Sequence, residues 1–358
     1  MFPTQIYRQR RQALTSRIDD GLLLFIGNDE SPMNYPDNCY PFRQDSTFLY
    51  YFGLDQPGLA AVIDLDEGST VVFGDELTID DIVWMGDLPT IAERAGRAGV
   101  GETRPREELA EVVGRADKLG RPVRFLPPYR ADSTLRLSRI LGLPAEKVPE
   151  QASLEFILAV IDQRNVKSDE EVFELERAAT TSVEMHVAAM RMTRPGMRES
   201  DIAAEVERVA LAEGGGVSFP VIATVNGQTL HNHFHGNTLA EGDLFLLDAG
   251  AQTTMRYAGD LSSTFPVSRS FSVRQRTIYE IQLANLGTPW IMQITVENSG
   301  GSCGSTRGTF NRNHGGVVGR YEIILRDTGG TARECDFAIT CLLYTSPSPR
   351  DHSRYRVC

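Results

Sequence analysis

No stretch of the 358-residue sequence approaches the roughly 18–20 consecutive apolar residues of a membrane-spanning helix. The opening MFPTQIYRQRRQ has basic residues with no apolar run behind them, so no secretory signal peptide is read there. Positive charge is also short. Lys and Arg number 36 against 48 Asp and Glu, and the net charge of −12 argues against nucleic acid as the main partner. Cysteine is scarce over most of the chain: Cys39 stands alone before residue 286, and Cys303, Cys335, Cys341 and Cys358 follow it. No Cys-x-x-Cys pair is present, which removes the common thiolate zinc motifs. Nothing points to secretion, so no disulfide framework is read from the four clustered cysteines. Long repeats and low-complexity tracts are absent as well. The remaining class is an acidic, soluble protein, expected in the cytoplasm, 41% hydrophobic and long enough for about two domains of ~100–200 residues.

Residues 12–150 read as mixed α/β. Leu22 to Ile26 is a short apolar run ending at Gly27, as a buried strand would be. Ala60 to Ile63 and Thr70 to Phe73 flank a turn-forming segment and read as a hairpin. Phe48 and Tyr50 are spaced as one inward face of a strand. Residues 91–97 and 106–115 read as helices, separated by Gly99, Gly101 and Pro105. Ser168 followed by Glu171 is a capping-box pattern and predicts a helix start. Val172, Leu175, Ala179, Val183, Val187 and Met190 then recur at three- and four-residue steps, the expected apolar face of that helix. Pro195-Gly196 stops it, and a shorter helix covers about 200–212. Three strands are predicted beyond, at 221–225, 244–251 and 261–267. Helices followed by an antiparallel sheet make an α+β layout.

The chemistry-bearing stretch is Asn226 to Val267. Asp248 ends the apolar run Leu244 to Leu247, where a carboxylate is costly to bury unless it is paired, hydrogen-bonded or bound to a cation. Asp260 heads the next strand. If the chain folds back around Thr254, the two aspartates face each other across the hairpin and repel unless a cation or a shared proton lies between them. Two divalent ions ~3.5–4 Å apart would suit that spacing. On the residues alone, both aspartates can instead be turn or cap residues at strand ends. His231, His233 and His235 alternate, so in a strand they share one face. They line a metal cleft, bind zinc among themselves, or sit in a solvated loop.

These segments resemble the metal-dependent aminopeptidase P and prolidase group, the pita-bread metallopeptidases. The likeness rests on Leu230-His231-Asn232, Glu241-Gly242-Asp243, Leu247 to Ala251, and Gly259-Asp260 with Thr264 to Val267. Arg164 to Ser168 resembles the lead-in to the family's catalytic domain, and Phe42 to Tyr50 its N-terminal-domain signature. That signature separates the chain from methionine aminopeptidases. The resemblance implies an aminopeptidase P-like N-terminal α/β domain over 1–150 and the first half of a pita-bread domain over 151–285. It implies that Asp248 and Asp260 are metal ligands of a two-ion site, usually manganese, and that His231 contacts substrate. The implied reaction is hydrolysis of the bond between an N-terminal residue and a proline in second position. The implied partner is a peptide substrate, with neither nucleic acid nor membrane, and intact relatives are homo-oligomers. Prolidase activity on Xaa-Pro dipeptides, and a catalytically dead binding module of the same fold, are the rivals.

The family's remaining ligands, one histidine and two glutamates, are not identified after residue 285. From there to the end the chain carries eight Arg and no Lys against six acids. Residues 286–358 are expected to be a non-homologous tail, artefactual or disordered, and the chain is expected to be inactive as it stands.

Overall fold

The protein is described by a computed structural model covering residues 1–286 and four short strands, Gln293–Asn298, Arg312–His314, Val317–Gly319 and Glu322–Asp327. The expected character of residues 286–358 falls largely outside the described residues. The described chain divides into two compact units between Ser168 and Asp169.

The first unit is a mixed five-stranded sheet with helices on both faces. Its strands are β1 (Leu22–Ile26), β2 (Ala60–Asp64), β3 (Ser69–Phe73), β4 (Glu102–Arg104) and β5 (Val123–Phe125), in the order β4-β3-β2-β1-β5. β2 is antiparallel to β1 and β3, while β5 and β4 join the outer sides in parallel. β1 is apolar at every position because both faces of the sheet are covered. Leu23 and Phe25 enter one core, Leu22 and Leu24 the other. The helices are α1 (Thr4–Thr15), α2 (Ser46–Phe52), α3 (Ile79–Met85), α4 (Ile91–Arg97), α5 (Glu108–Lys118), α6 (Ala131–Leu141) and α7 (Leu154–Asn165). α7 belongs to this unit although it lies beyond residue 150. Its Phe156 is fully buried and meets the Phe25 ring edge-on, with centroids 5.1 Å apart.

Residues 46–52 form a helix, not the strand that the Phe48/Tyr50 spacing suggests. The ends decide the matter. The Asp45 side chain accepts the Phe48 N–H, and Gly53 takes the left-handed conformation (φ 64°) that closes the last turn. Between those caps, residues 47, 48, 50, 51 and 52 are all buried, so alternation carried no information about the backbone.

The second unit contains α8 (Asp169–Met192), α9 (Glu199–Ala212), β6 (Ile222–Thr224), β7 (Leu244–Ala249), β8 (Leu261–Pro266) and α10 (Val273–Leu286). The strands form an antiparallel sheet in the order β6-β7-β8. α8 does not bury its apolar stripe. Val172, Val183 and Met190 are exposed, while Glu174, Ala178, Ser182, Met185, His186 and Ala189 are buried. The cause is close approach. A Cβ added at Gly259 would overlap Ser182 Oγ and lie 2.8 Å from the Ala178 carbonyl oxygen, so only small side chains fit at positions 178 and 182. Ser182 Oγ uses the contact, accepting the Ala251 N–H at 2.9 Å and donating to the Ala178 carbonyl at 2.7 Å. The architecture is thus an α/β unit followed by an α+β unit.

Candidate metal centre

β7 alternates in burial, with Phe245, Leu247 and Ala249 in the core and Leu244, Leu246 and Asp248 on the opposite face. Asp248 is in register with Ser262, and Leu246 with Thr264. Asp260 lies immediately before β8, two residues from Ser262, so period two places it on the same face as Asp248. The two aspartates are diagonal neighbours, roughly 7–8 Å apart at Cα, rather than directly opposed. Ser262 holds the opposed position and donates its hydroxyl to Asp248 Oδ1 at 2.9 Å.

Both carboxyls are half-buried and both are harder to ionise than usual. Burial pushes Asp248 up; the Ser262 hydroxyl and the nearby His186 and His231 pull partly the other way. Burial also pushes Asp260 up, and the charge of Asp248 adds to it. Neither has an Arg or Lys partner among the described residues. Two neighbouring, mutually repelling carboxylates of this kind would suit a divalent cation, which would remove both penalties. The donor set is partial: among the described residues no group of three or more His, Cys, Asp and Glu side chains is placed to hold a metal.

The three histidines do not share a face, because residues 231–237 are not a strand. His231 is exposed and lies within electrostatic reach of Asp248. His233 is exposed, and the His235 ring bonds the Val221 carbonyl through Nε2 at 3.2 Å. His186 and Ser262 escaped the sequence reading. His186 is buried on α8, its Nδ1 2.6 Å from Ser263 Oγ and its Nε2 3.1 Å from the Ala249 carbonyl oxygen. It ties the helix to both strands that carry the aspartates. Its only signal in the sequence is its place on the helix turn after Ser182.

The aminopeptidase P N-terminal domain model matches residues 7–120, and the metallopeptidase family M24 model matches residues 174–286. Residues 174–286 are thus similar to metallopeptidase family M24, and residues 7–120 to the aminopeptidase P N-terminal domain. The M24 match ends where the sequence resemblance ends and contains both aspartates and His231. The Xaa-Pro aminopeptidase of Escherichia coli (strain K12) is 28% identical over 308 residues, covering 79% of this chain and 67% of that protein. A probable Xaa-Pro aminopeptidase of Chaetomium globosum is 28% identical over 276 residues, covering 76% of this chain and 45% of that protein. A Glu383Ala variant of Escherichia coli aminopeptidase P, solved in complex with substrate, superposes with a TM-score of 0.70 at 27% identity, covering 80% of this chain and 68% of the other. The chain therefore spans about half to two thirds of the length of these relatives.

Proposed function

We propose that the second unit is the aspartate-bearing part of an Xaa-Pro aminopeptidase, a hydrolase cleaving the bond between an N-terminal residue and a following proline. The observation that carries this reading is the Asp248–Asp260 pair: two half-buried carboxylates on one sheet face, without an Arg or Lys partner among the described residues and with His231 in reach. When bound, two divalent cations would lower the pKa of water and polarise the scissile carbonyl. The chain's own residues do the rest. Asp248 and Asp260 would hold the cations, Ser262 fixes which Asp248 oxygen is free, and His231 would meet the peptide beside them. Oxygen-rich ligation supports manganese. Cytoplasmic location and self-association belong to the same reading; Cys39 is a free thiol, and α3 exposes Ile79, Val83 and Trp84 as an apolar surface.

Calorimetric titration with Mn²⁺ tests the proposal, alongside hydrolysis of an Xaa-Pro-Pro peptide. The 358-residue chain binds Mn²⁺, and Asp248→Ala abolishes the binding. Turnover is not measurable, because two carboxylates leave most coordination positions of each ion to water. Absence of Mn²⁺ binding overturns the reading. Turnover that vanishes in Asp248→Ala would show that residues outside the described set complete the centre.

A further inference from the structure

One buried anion in the second unit has no part in the chemistry above. Glu199, in the first turn of α9, is fully buried and has no cationic partner among the described residues. Burial opposes its ionisation, yet its carboxyl sits below the usual range because the donors of Asn237, Val225 and Thr224 outweigh that penalty. A glutamate in a helix's first turn commonly serves the helix's own free N–H groups. Here the donors come from elsewhere. Oε1 accepts the Thr224 hydroxyl and the Val225 N–H, each at 2.9 Å. Oε2 accepts the Asn237 N–H at 3.0 Å, and Asn237 Nδ2 bonds both oxygens at 3.0 Å. Val225 and Asn237 are the two ends of the segment that carries His231. Thr224 Oγ1 extends the network inward, accepting from the Asn226 N–H at 2.9 Å and from Asn232 Nδ2 at 3.1 Å. Asn232 is the chain neighbour of His231, and its Oδ1 accepts the Phe234 N–H at 3.1 Å. The backbone continues the seam, with the Glu199 and Ser200 N–H groups donating to the carbonyls of Asn237 and His235.

We propose that Glu199 is the positioning residue of the histidine loop: its carboxylate ties both ends of residues 225–237 and, through Thr224 and Asn232, holds His231 within electrostatic reach of Asp248. The proposal rests on the reading of His231 as the substrate-contacting histidine. A loop that is exposed and lacks secondary structure would otherwise sample many backbone states, and a histidine acting on substrate needs its place fixed beforehand. A carboxylate suits the task because it accepts at about four sites and each bond to an ionised group is stronger than a neutral one.

The test uses the full chain and Glu199→Gln, which keeps the shape but sets an amide N–H among donors. Histidine side-chain ¹H–¹³C spectra are recorded at one fixed neutral pH, with the His231 signal assigned by His231→Gln. In the Glu199 background, Asp248→Asn moves both the His231 and His186 signals, since both rings feel that charge. In Glu199→Gln the His231 response is lost while the His186 response, anchored on α8, persists. Asn232→Ala leaves the carboxylate and its donors intact and weakens the His231 response in the same direction; it carries the test if Glu199→Gln does not fold. A His231 signal that responds equally in every background, or in none, overturns the proposal. So does loss of the His186 response together with that of His231, which would make Glu199 a residue of the fold alone. Mn²⁺ added to the same samples reads the metal proposal separately: no broadening of His231 in the unsubstituted chain counts against the metal centre, while the Asp248 response still decides the loop clamp.

Discussion

His186 holds the sheet face of the candidate centre from behind, and its removal has a calculable consequence. The Ala249 carbonyl can only accept, so Nε2 carries the proton and Nδ1 accepts from the Ser263 hydroxyl. In His186→Leu the volume is roughly kept and both bonds are lost. Ser263 is only partly buried and turns to water. Ala249 is fully buried, and the oxygen that His186 served is left without that donor. The oxygen keeps its ladder neighbour Leu261, and losing two ring bonds at about 0.5–1.5 kcal/mol each costs about 1–3 kcal/mol, a large share of the ~5–15 kcal/mol that holds a domain folded. At roughly 4 °C per kcal/mol for a unit near this size, the midpoint falls by ~4–12 °C. The pH dependence has a definite sign. Burial lowers the His186 pKa in the fold, so the unfolded chain binds its proton more tightly. The contribution of the neutral ring is complete above the unfolded value of about 6.5 and is lost as pH falls below it toward the depressed folded value. Urea denaturation followed by far-UV circular dichroism, at about pH 7.5 and about pH 5.5, measures both effects. A His186→Leu chain within about 0.5 kcal/mol of the original, with an unchanged acid slope, would refute the claim that this ring joins α8 to the sheet.

Three further outcomes follow from the same geometry. Asp260→Asn raises the urea midpoint of the metal-free chain at neutral pH and removes Mn²⁺ binding. Burial and then Asp248 raise the Asp260 pKa in the fold, so stability drops as pH climbs from the unfolded value of about 3.9 through the raised folded one, and the amide escapes that loss. Gly250→Ala destabilises the second unit by ~1–3 kcal/mol and weakens Mn²⁺ binding in calorimetry. Its new Cβ would sit within van der Waals overlap of the Gly259 carbonyl oxygen and 2.6 Å from Ser218 Oγ, forcing the residue before Asp260 to move. Phe156→Ala costs about 3–5 kcal/mol and speeds amide exchange in β1, against which Phe156 packs, while β7 keeps its protection; equal loosening of both strands would contradict two separate cores.

The parts of this fold that were legible in the sequence are those where one local signal acts alone. β7 is apolar up to Asp248, β8 follows Asp260, and both strands lie where the hydrophobic runs place them. α8 begins directly after Ser168, as the capping pattern predicts. Where two signals compete, the weaker-looking one prevailed. Alternating aromatics at Phe48 and Tyr50 lost to the caps Asp45 and Gly53, because a helix whose surroundings bury it nearly all round has no polar face to betray its period. The apolar stripe of α8 lost to Ala178 and Ser182, because the partner surface is the bare backbone of Gly259 and only small residues allow that approach. No one-dimensional pattern encodes a contact of this sort; it exists only once the glycine and the helix are both in place. His186, Glu199 and Ser262 were illegible for a related reason. Each is a single polar residue whose role comes from partners far along the chain: Ser263 and Ala249 for His186, Asn237 for Glu199 and Asp248 for Ser262.

The aspartate pair is the place where local rules are broken without local compensation. Elsewhere in the unit, Glu199 is answered by the donors of Thr224, Val225 and Asn237, His186 by Ser263 and Ala249, and Ser182 by Ala178 and Ala251. Asp248 has one serine, and Asp260 has a second carboxylate as its electrostatic neighbour. A sheet that could have carried neutral side chains at both positions carries two charges that burial and repulsion oppose. Such a pair lowers stability in the metal-free chain and gains it back only when positive charge arrives between the carboxylates. The same argument separates this pair from the surface ion pairs of the first unit. Arg106 with Asp29, for example, is complete in itself and asks for no ligand.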